Sequence, residues 1–201
     1  MNRRNFTSLT ALGASAVFLS RTSNAATNVN TNSPSATLAQ GQTAIRQATS
    51  RDAAIQAWLE VVKPRLPFLQ ATSLASRPRA DAPKELGAVR RIYSTVPSAY
   101  PVGGWKQLSG SDWARKVLER GEVLVANNDV DLEHYFPDHQ LLKSLGTATL
   151  INIPVVVCKR TVGAFAFMCA EVVPETAITE EIWLLTALTA PLFSDDLVPT
   201  A

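Results

Sequence analysis

The segment from Thr147 to Glu171 constrains the fold more than any other part of this chain. Thr147 to Cys158 and Val162 to Glu171 are apolar runs rich in β-branched and aromatic residues, which suit a pleated surface. Only Lys159, Arg160 and Thr161 separate them, so an antiparallel hairpin with a three-residue turn is expected. Side chains alternate across a strand, which puts Phe165, Phe167 and Cys169 on one face and Ala164, Ala166, Met168 and Ala170 on the other. Both faces are apolar, so the hairpin belongs in the middle of a sheet that is covered on both sides. In this register Cys158 lies opposite about residue 162 and Cys169 opposite about residue 151. A disulfide needs Cα atoms within about 7 Å, so the two are read as separate, buried thiols packed in the core.

Around the hairpin the chain alternates helical and extended patterns. A weak helical pattern runs from Ala36 to Thr49. Ser50 then caps a clearer helix, with Asp52 in the first turn and Ile55, Trp58, Leu59 and Val62 on one apolar face, until Pro64 ends it. Pro67 to Ala75 and Leu86 to Ser94 read as strands, separated by the Pro/Arg/Ala-rich loop Ser76 to Lys84. Ser94 to Leu108 holds Pro97, Pro101, Gly103 and Gly104 and is expected to be an irregular loop carrying Tyr100 and Trp105. Ser111 caps a short helix with Trp113, Val117 and Leu118 inward, closed by Gly121, and Glu122 to Ala126 is a short strand. Asp129 or Asp131 caps the next helix, which Pro137 interrupts before it resumes through Leu141, Leu142 and Leu145. Thr179 caps a last helix that begins with Glu180 and Glu181 and turns Ile182, Leu185 and Leu188 inward. The class is α+β.

The N-terminus reads as an address. Residues 1–25 contain Arg3 and Arg4, a mildly apolar run from Leu9 to Leu19, and Ser23-Asn24-Ala25 as a cleavage site, the three regions of a signal peptide. A membrane-spanning helix needs about 20 apolar residues, so this run is too short, and no stable span is expected after cleavage. Arg3-Arg4 with Phe6 resembles a twin-arginine (Tat) signal, which implies export of a folded domain to the periplasm. The whole chain carries a formal charge of +2, but without Arg3, Arg4 and Arg21 there are 16 basic residues against 17 acidic ones. That balance leaves little counterion-release drive for nucleic acid, which is excluded as a partner. The expected organisation is a signal at 1–25, a polar linker and weak helix at 26–49, one domain at 50–195 and a tail at 196–201. At 201 residues there is no room for two large domains.

Five local segments carry a family resemblance: Arg91-Ile-Tyr-Ser-Thr-Val-Pro97, Tyr100-Pro-Val-Gly-Gly104, Phe136-Pro-Asp-His139, Leu145-Gly146 and Ile151-Asn-Ile-Pro-Val155. In order and spacing they resemble small stand-alone bacterial GAF domain proteins, over roughly Ser50 to Leu192. The resemblance implies a GAF/PAS-like central antiparallel β-sheet of about five or six strands, with helices packed on one face and a loop-covered pocket on the other. It also implies a sensor or binding module for a small molecule, but not which one, since a fold locates a site without naming its ligand. A homodimer through the terminal helices is a further implication. The cysteine motifs of bilin-attaching members and the three-cysteine set of the free methionine sulfoxide reductases are missing.

For the pocket the residues of choice are Tyr93, Tyr100, Gly103, Gly104, Trp105, Phe136, Asp138, His139 and Asn152. A Gly pair beside aromatics permits close backbone approach to a ligand. Asn152 is a polar side chain inside an apolar strand and needs a partner. No residue is assigned a catalytic or metal-binding role, and the cofactor is left unknown. His134 and His139 are five residues apart, which on a helix is about 140° of rotation, and no convergent ligand set accompanies them. Two alternatives stand beside the sensor: a thiol-dependent redox enzyme using Cys158 or Cys169, and a structural dimerisation module whose pocket is filled by its own side chains.

Overall fold

A computed structural model describes residues 33–76, 88–108 and 110–195. The signal segment, most of the Ser76 to Lys84 loop and the 196–201 tail lie outside the described residues. In chain order the elements are α1 (Pro34–Gln47), α2 (Arg51–Val62), β1 (Gln70–Ala75), β2 (Ala88–Ser94), β3 (Gly103–Gln107), a π-helix (Ala114–Glu119), β4 (Leu124–Ala126), α3 (Asp129–Tyr135), α4 (His139–Ser144), β5 (Thr149–Val157), β6 (Arg160–Cys169) and α5 (Glu180–Ala187). Short 3-10 turns flank α5 at Glu175–Ala177 and Ala190–Phe193.

The six strands form one antiparallel sheet in the order β3-β2-β1-β6-β5-β4. The β5–β6 hairpin is central, as its two apolar faces require. One face, with Phe165, Phe167 and Cys169, packs under α2, α5 and the Ala190–Phe193 turn. The other, with Ala164, Ala166 and Met168, packs under the π-helix, α3 and α4.

Trp58 organises the first layer. Its ring lies 4.4 Å from that of Phe165, and its Nε1 donates to the Leu185 carbonyl at 2.9 Å, which ties α2 to the last turn of α5. Caps at the helix starts follow the expected side chains: Ser50 Oγ accepts from Ala53 N at 3.2 Å, and Thr179 Oγ1 accepts from Ile182 N at 3.4 Å. Helix α1 joins this layer. Arg65, just beyond α2, donates to Thr37 Oγ1 of α1 and pairs with Glu181 of α5 at 2.8 Å.

Four expectations need correction. The hairpin turn is two residues, Cys158 and Lys159, with φ of 50° and 62°. Left-handed conformations at both positions match the twist of the flanking strands. The tighter turn moves the register, so that Val157 faces Arg160 and Cys169 faces Thr149. Cys158 therefore sits exposed at the corner rather than buried in the core, while Cys169 is buried and both thiols are free.

Second, part of the expected loop from Ser94 to Leu108 is strand β3, which pairs with β2 through Arg90 and Trp105, Val89 and Lys106. Gly103 and Gly104 adopt φ of 88° and 68°, which turns the chain onto the sheet edge at the start of β3. Third, the helix after Ser111 widens into a π-helix, with Arg120 N donating to Arg115 O at 3.2 Å. The Val117 carbonyl at its end is met by the Thr161 hydroxyl at 3.2 Å. Fourth, α3 is capped by Asn128, whose Oδ1 accepts from Asp131 N at 2.9 Å, and neither Asp129 nor Asp131 takes that place.

Candidate functional site

A cavity of about 420 Å³ lies between the second face of the sheet and the elements over it. Its floor comes from five of the six strands, with Thr72 and Leu74 of β1, Arg91 of β2, Lys106 of β3, Leu150 and Asn152 of β5, and Ala166 and Met168 of β6. The small side chain of Ala166 beside Met168 leaves space above the sheet, where the larger Phe165 and Phe167 fill the opposite side.

Pro137 builds the roof. It stops α3 at Tyr135, and Phe136 leaves the helix with extended backbone (φ −128°, ψ 102°) before α4 starts at His139. The interruption brings Phe136, Pro137 and Asp138 over the cavity. Trp113, held by the Ser111 cap just before the π-helix, closes another side. At the rim His134 Nε2 of α3 meets Asp112 Oδ2 at 2.9 Å, and Asp112 also pairs with Arg115. This clasp links the segment before the π-helix to α3.

The polar groups in the cavity are unevenly satisfied. Asn152, 1% exposed, has no hydrogen-bond partner for its Nδ2 among the described residues. Tyr100 is 5% exposed and its hydroxyl faces the Asp138 carboxylate. Arg91, 7% exposed, places its guanidinium 4.9 Å from the centroid of the Tyr100 ring and donates from Nη1 to the Pro101 carbonyl at 3.3 Å, leaving Nε without an acceptor. Buried polar atoms in native proteins are nearly always bonded; Asn152 Nδ2 and Arg91 Nε depart from this within the cavity, as Ser73 Oγ and Thr147 Oγ1 do outside its lining, among the described residues.

The electrostatics follow from burial. Desolvation, followed by the negative charge of Asp138 and a hydrogen bond to it, raises the Tyr100 phenol well above its ordinary value, against the opposing charge of Arg91. Burial lowers Arg91, with Tyr100 and Asp138 opposing. Lys106 is lowered by burial and then by its neighbour Arg91, with Asp138 opposing. Two cations, one carboxylate and a neutral phenol thus share one end of the cavity.

Of the residues chosen from sequence, Tyr100, Phe136, Asp138 and Asn152 line this cavity. Gly103, Gly104 and Trp105 lie on edge strand β3 outside the lining, and Tyr93 packs against the α2 side of the sheet. There burial, Asp52 and Glu60 raise its phenol. His139 is also outside the lining, with Nδ1 3.2 Å from the Phe136 carbonyl and Nε2 2.9 Å from Gln140 Nε2. Arg91, Lys106 and Trp113 escaped selection. Arg91 follows Arg90 directly in β2, and the alternation that turns one of the two toward the cavity was the available signal. Lys106 had none once β3 was read as loop.

No protein-family model matches the chain, and no curated protein matches it. Solved structures do. The GAF domain of the phosphoenolpyruvate-protein phosphotransferase from Acinetobacter superposes with a TM-score of 0.58 at 16% identity, over 78% of this chain and 90% of that one. The GAF domain from the corresponding protein of Coxiella burnetii gives 0.56 at 15% identity, over 82% and 92%. This chain has the GAF-domain fold. The phycoerythrobilin-bound GAF domain of a cyanobacterial phytochrome is similar at a TM-score of 0.54 and 14% identity, over 80% of this chain and 93% of that one. The GAF sheet and its two covering layers account for the observed strand order, and they place the cavity on the face opposite α2 and α5.

Proposed function

We propose that this chain is an exported GAF-fold sensor or binding module that holds a small molecule non-covalently in the cavity above Ala166 and Met168. The reading rests on the cavity itself: a mostly apolar enclosure into which a few polar groups converge, the usual make-up of a ligand site. The thiol-based alternative lacks a nucleophile there, because neither Cys158 nor Cys169 lines the cavity. Delivery by the twin-arginine route and residence in the periplasm are supported by Arg3, Arg4 and the apolar run that follows them. A domain that folds before crossing would acquire its ligand in the cytoplasm.

Native mass spectrometry of the protein isolated from the exported fraction of its producing cell tests the binding reading. A stoichiometric small-molecule adduct that disappears in Asn152→Leu supports it. An adduct-free protein that no cell extract loads contradicts it. Replacing Arg3 and Arg4 by Lys tests the route, and unchanged export would show that the pair is not read as a twin-arginine signal.

The structural reading has one observation of its own. Leu38 of α1, with Leu184 and Leu188 at α5, borders an apolar groove, and Leu184 is 45% exposed. A homodimer through these helices would cover it and is compatible with a ligand in the cavity on the other side of the sheet.

A further inference from the structure

The proposed binding function leaves the class of ligand open, and the inference here rests on that reading. The groups left without partners in the cavity are strongly one-sided. Asn152 Nδ2 and Arg91 Nε, without acceptors among the described residues, can only donate, while the protonated Tyr100 hydroxyl faces the Asp138 carboxylate. Lys106 stands opposite Val89 on the neighbouring strand, two residues from Arg91, and adds a second positive charge to the same end. Asp138 offsets one of the two cations. At the rim, Asp112 is already engaged by Arg115 and His134, so it offers little to a cationic ligand. Thr72, Ser111, His134 and Tyr135 add polar groups to the lining, and its apolar part is formed mainly by Leu74, Trp113, Phe136, Leu142, Leu150 and Met168.

We propose that the cavity takes an organic monocarboxylate with an apolar or aromatic body. Its carboxylate lies at the Arg91, Tyr100 and Lys106 end, and its body rests on Leu150, Ala166 and Met168. A carboxylate head answers Arg91 Nε and the charge of Lys106, while Asn152 Nδ2, on β5 with β6 and β1 between it and β2, stands beside the ligand body; a guanidinium held against an aromatic ring is pre-oriented for a planar carboxylate. An ammonium head would face Arg91 and Lys106 with Asp138 alone to offset them, and would leave Arg91 Nε unmet. A neutral amide would supply one acceptor oxygen and forgo the ion pair. A second carboxylate on the ligand would find no further cation in the described lining except His134, which Asp112 already meets at the rim.

The test uses four probes that share one apolar body: 3-phenylpropionate, 3-phenylpropanamide, 3-phenylpropylamine and phenylalanine, each titrated calorimetrically into the full mature protein. The carboxylate is expected to bind at least about tenfold more tightly than the amide, and the amine and the amino acid more weakly than either. In Arg91→Met the preference for carboxylate over amide falls to less than about threefold, while amide binding itself changes little. Because Arg91 is buried, Lys106→Gln on the exposed edge strand provides a second variant, expected to weaken only the carboxylate, and the unliganded melting temperature of each variant checks its fold. Equal binding of amide and carboxylate, a preference for the amine or for phenylalanine, or a preference that survives both substitutions overturns the inference. If none of the four binds while a different small molecule co-purifies in the cavity, the monocarboxylate assignment falls and the binding reading stands. If none binds and nothing co-purifies, both fall.

Discussion

The guanidinium of Arg91 sits 4.9 Å from the centre of the Tyr100 ring, so a charge on β2 and an aromatic from the following loop hold each other in place at one end of the cavity. Contacts of this kind contribute about 0.5–2 kcal/mol, the more so where water is excluded. The contact uses the ring face and leaves the Tyr100 hydroxyl to face Asp138. Tyr100→Phe should therefore keep the Arg91 contact and remove a donor beside that carboxylate. Stability in urea is expected to fall by no more than about 1 kcal/mol, while ligand affinity falls. A larger loss would mean that the hydroxyl is firmly bonded to Asp138.

Gly163 on β6 faces Phe193 and the backbone of β1. A Cβ there would lie 2.1 Å from Phe193 Cε1 and 2.7 Å from the Leu74 carbonyl oxygen. The ring could move, but the strand carbonyl cannot without breaking the β1–β6 ladder. Gly163→Ala is expected to cost about 2 kcal/mol or more, within the range for overpacked cores. Its urea midpoint should drop at unchanged m-value.

Trp58 contributes both packing and a hydrogen bond. Trp58→Phe retains much of the buried ring area and leaves the Leu185 carbonyl unmet. The expected cost is about 1–3 kcal/mol. Trp58→Ala, which also opens a cavity beside Phe165, should cost about 3–5 kcal/mol. If the two variants were equally destabilised, packing would contribute nothing beyond the hydrogen bond.

The two thiols should be chemically distinct. Cys158 at the exposed turn is expected to react with a disulfide reagent in the native protein, and Cys169 only after unfolding, giving one thiol before denaturation and two after. Burial pushes the Cys169 thiol from 9.0 up to about 11. Between those values the unfolded chain has lost its proton and the folded one has kept it, so the unfolded state binds fewer protons and stability falls as pH rises. Cys169→Ser or Cys169→Ala should remove that part of the decline above pH 9. A thiol absorbing as thiolate near neutral pH in the Cys158→Ser variant would contradict this placement.

Much of this fold was legible in the chain because the period-2 pattern of Phe165, Phe167 and Cys169 against Ala164, Ala166 and Met168 is strong enough to fix both faces of β6. Caps at Ser50 and Thr179 and the break at Pro137 were legible for similar local reasons. Strand β3 was not. Its five residues open with two glycines and become a strand only by pairing with β2, a tertiary effect that local composition does not record. That misreading drew attention to Trp105 and away from its neighbour Lys106. The two-residue turn at Cys158-Lys159 was hidden because neither residue is one of the glycines or asparagines that usually take positive φ. Asn152 stood out as polar within an apolar strand. Arg91 did not, because Arg90 sits beside it, and its partner Tyr100 is nine residues away and beyond the reach of periodicity.

The central claim is that the cavity over Ala166 and Met168, and not the α1–α5 groove, holds the ligand. It is tested most directly by amide-resolved NMR of the mature protein, titrated with the small molecules released by heating the natively purified protein. The account predicts shifts at the Asn152 side-chain amide, the Trp113 indole and the backbone amides of Tyr100 and Met168, and silence along α1. Shifts confined to Leu38, Leu184 and their neighbours, or none at Asn152, would contradict it.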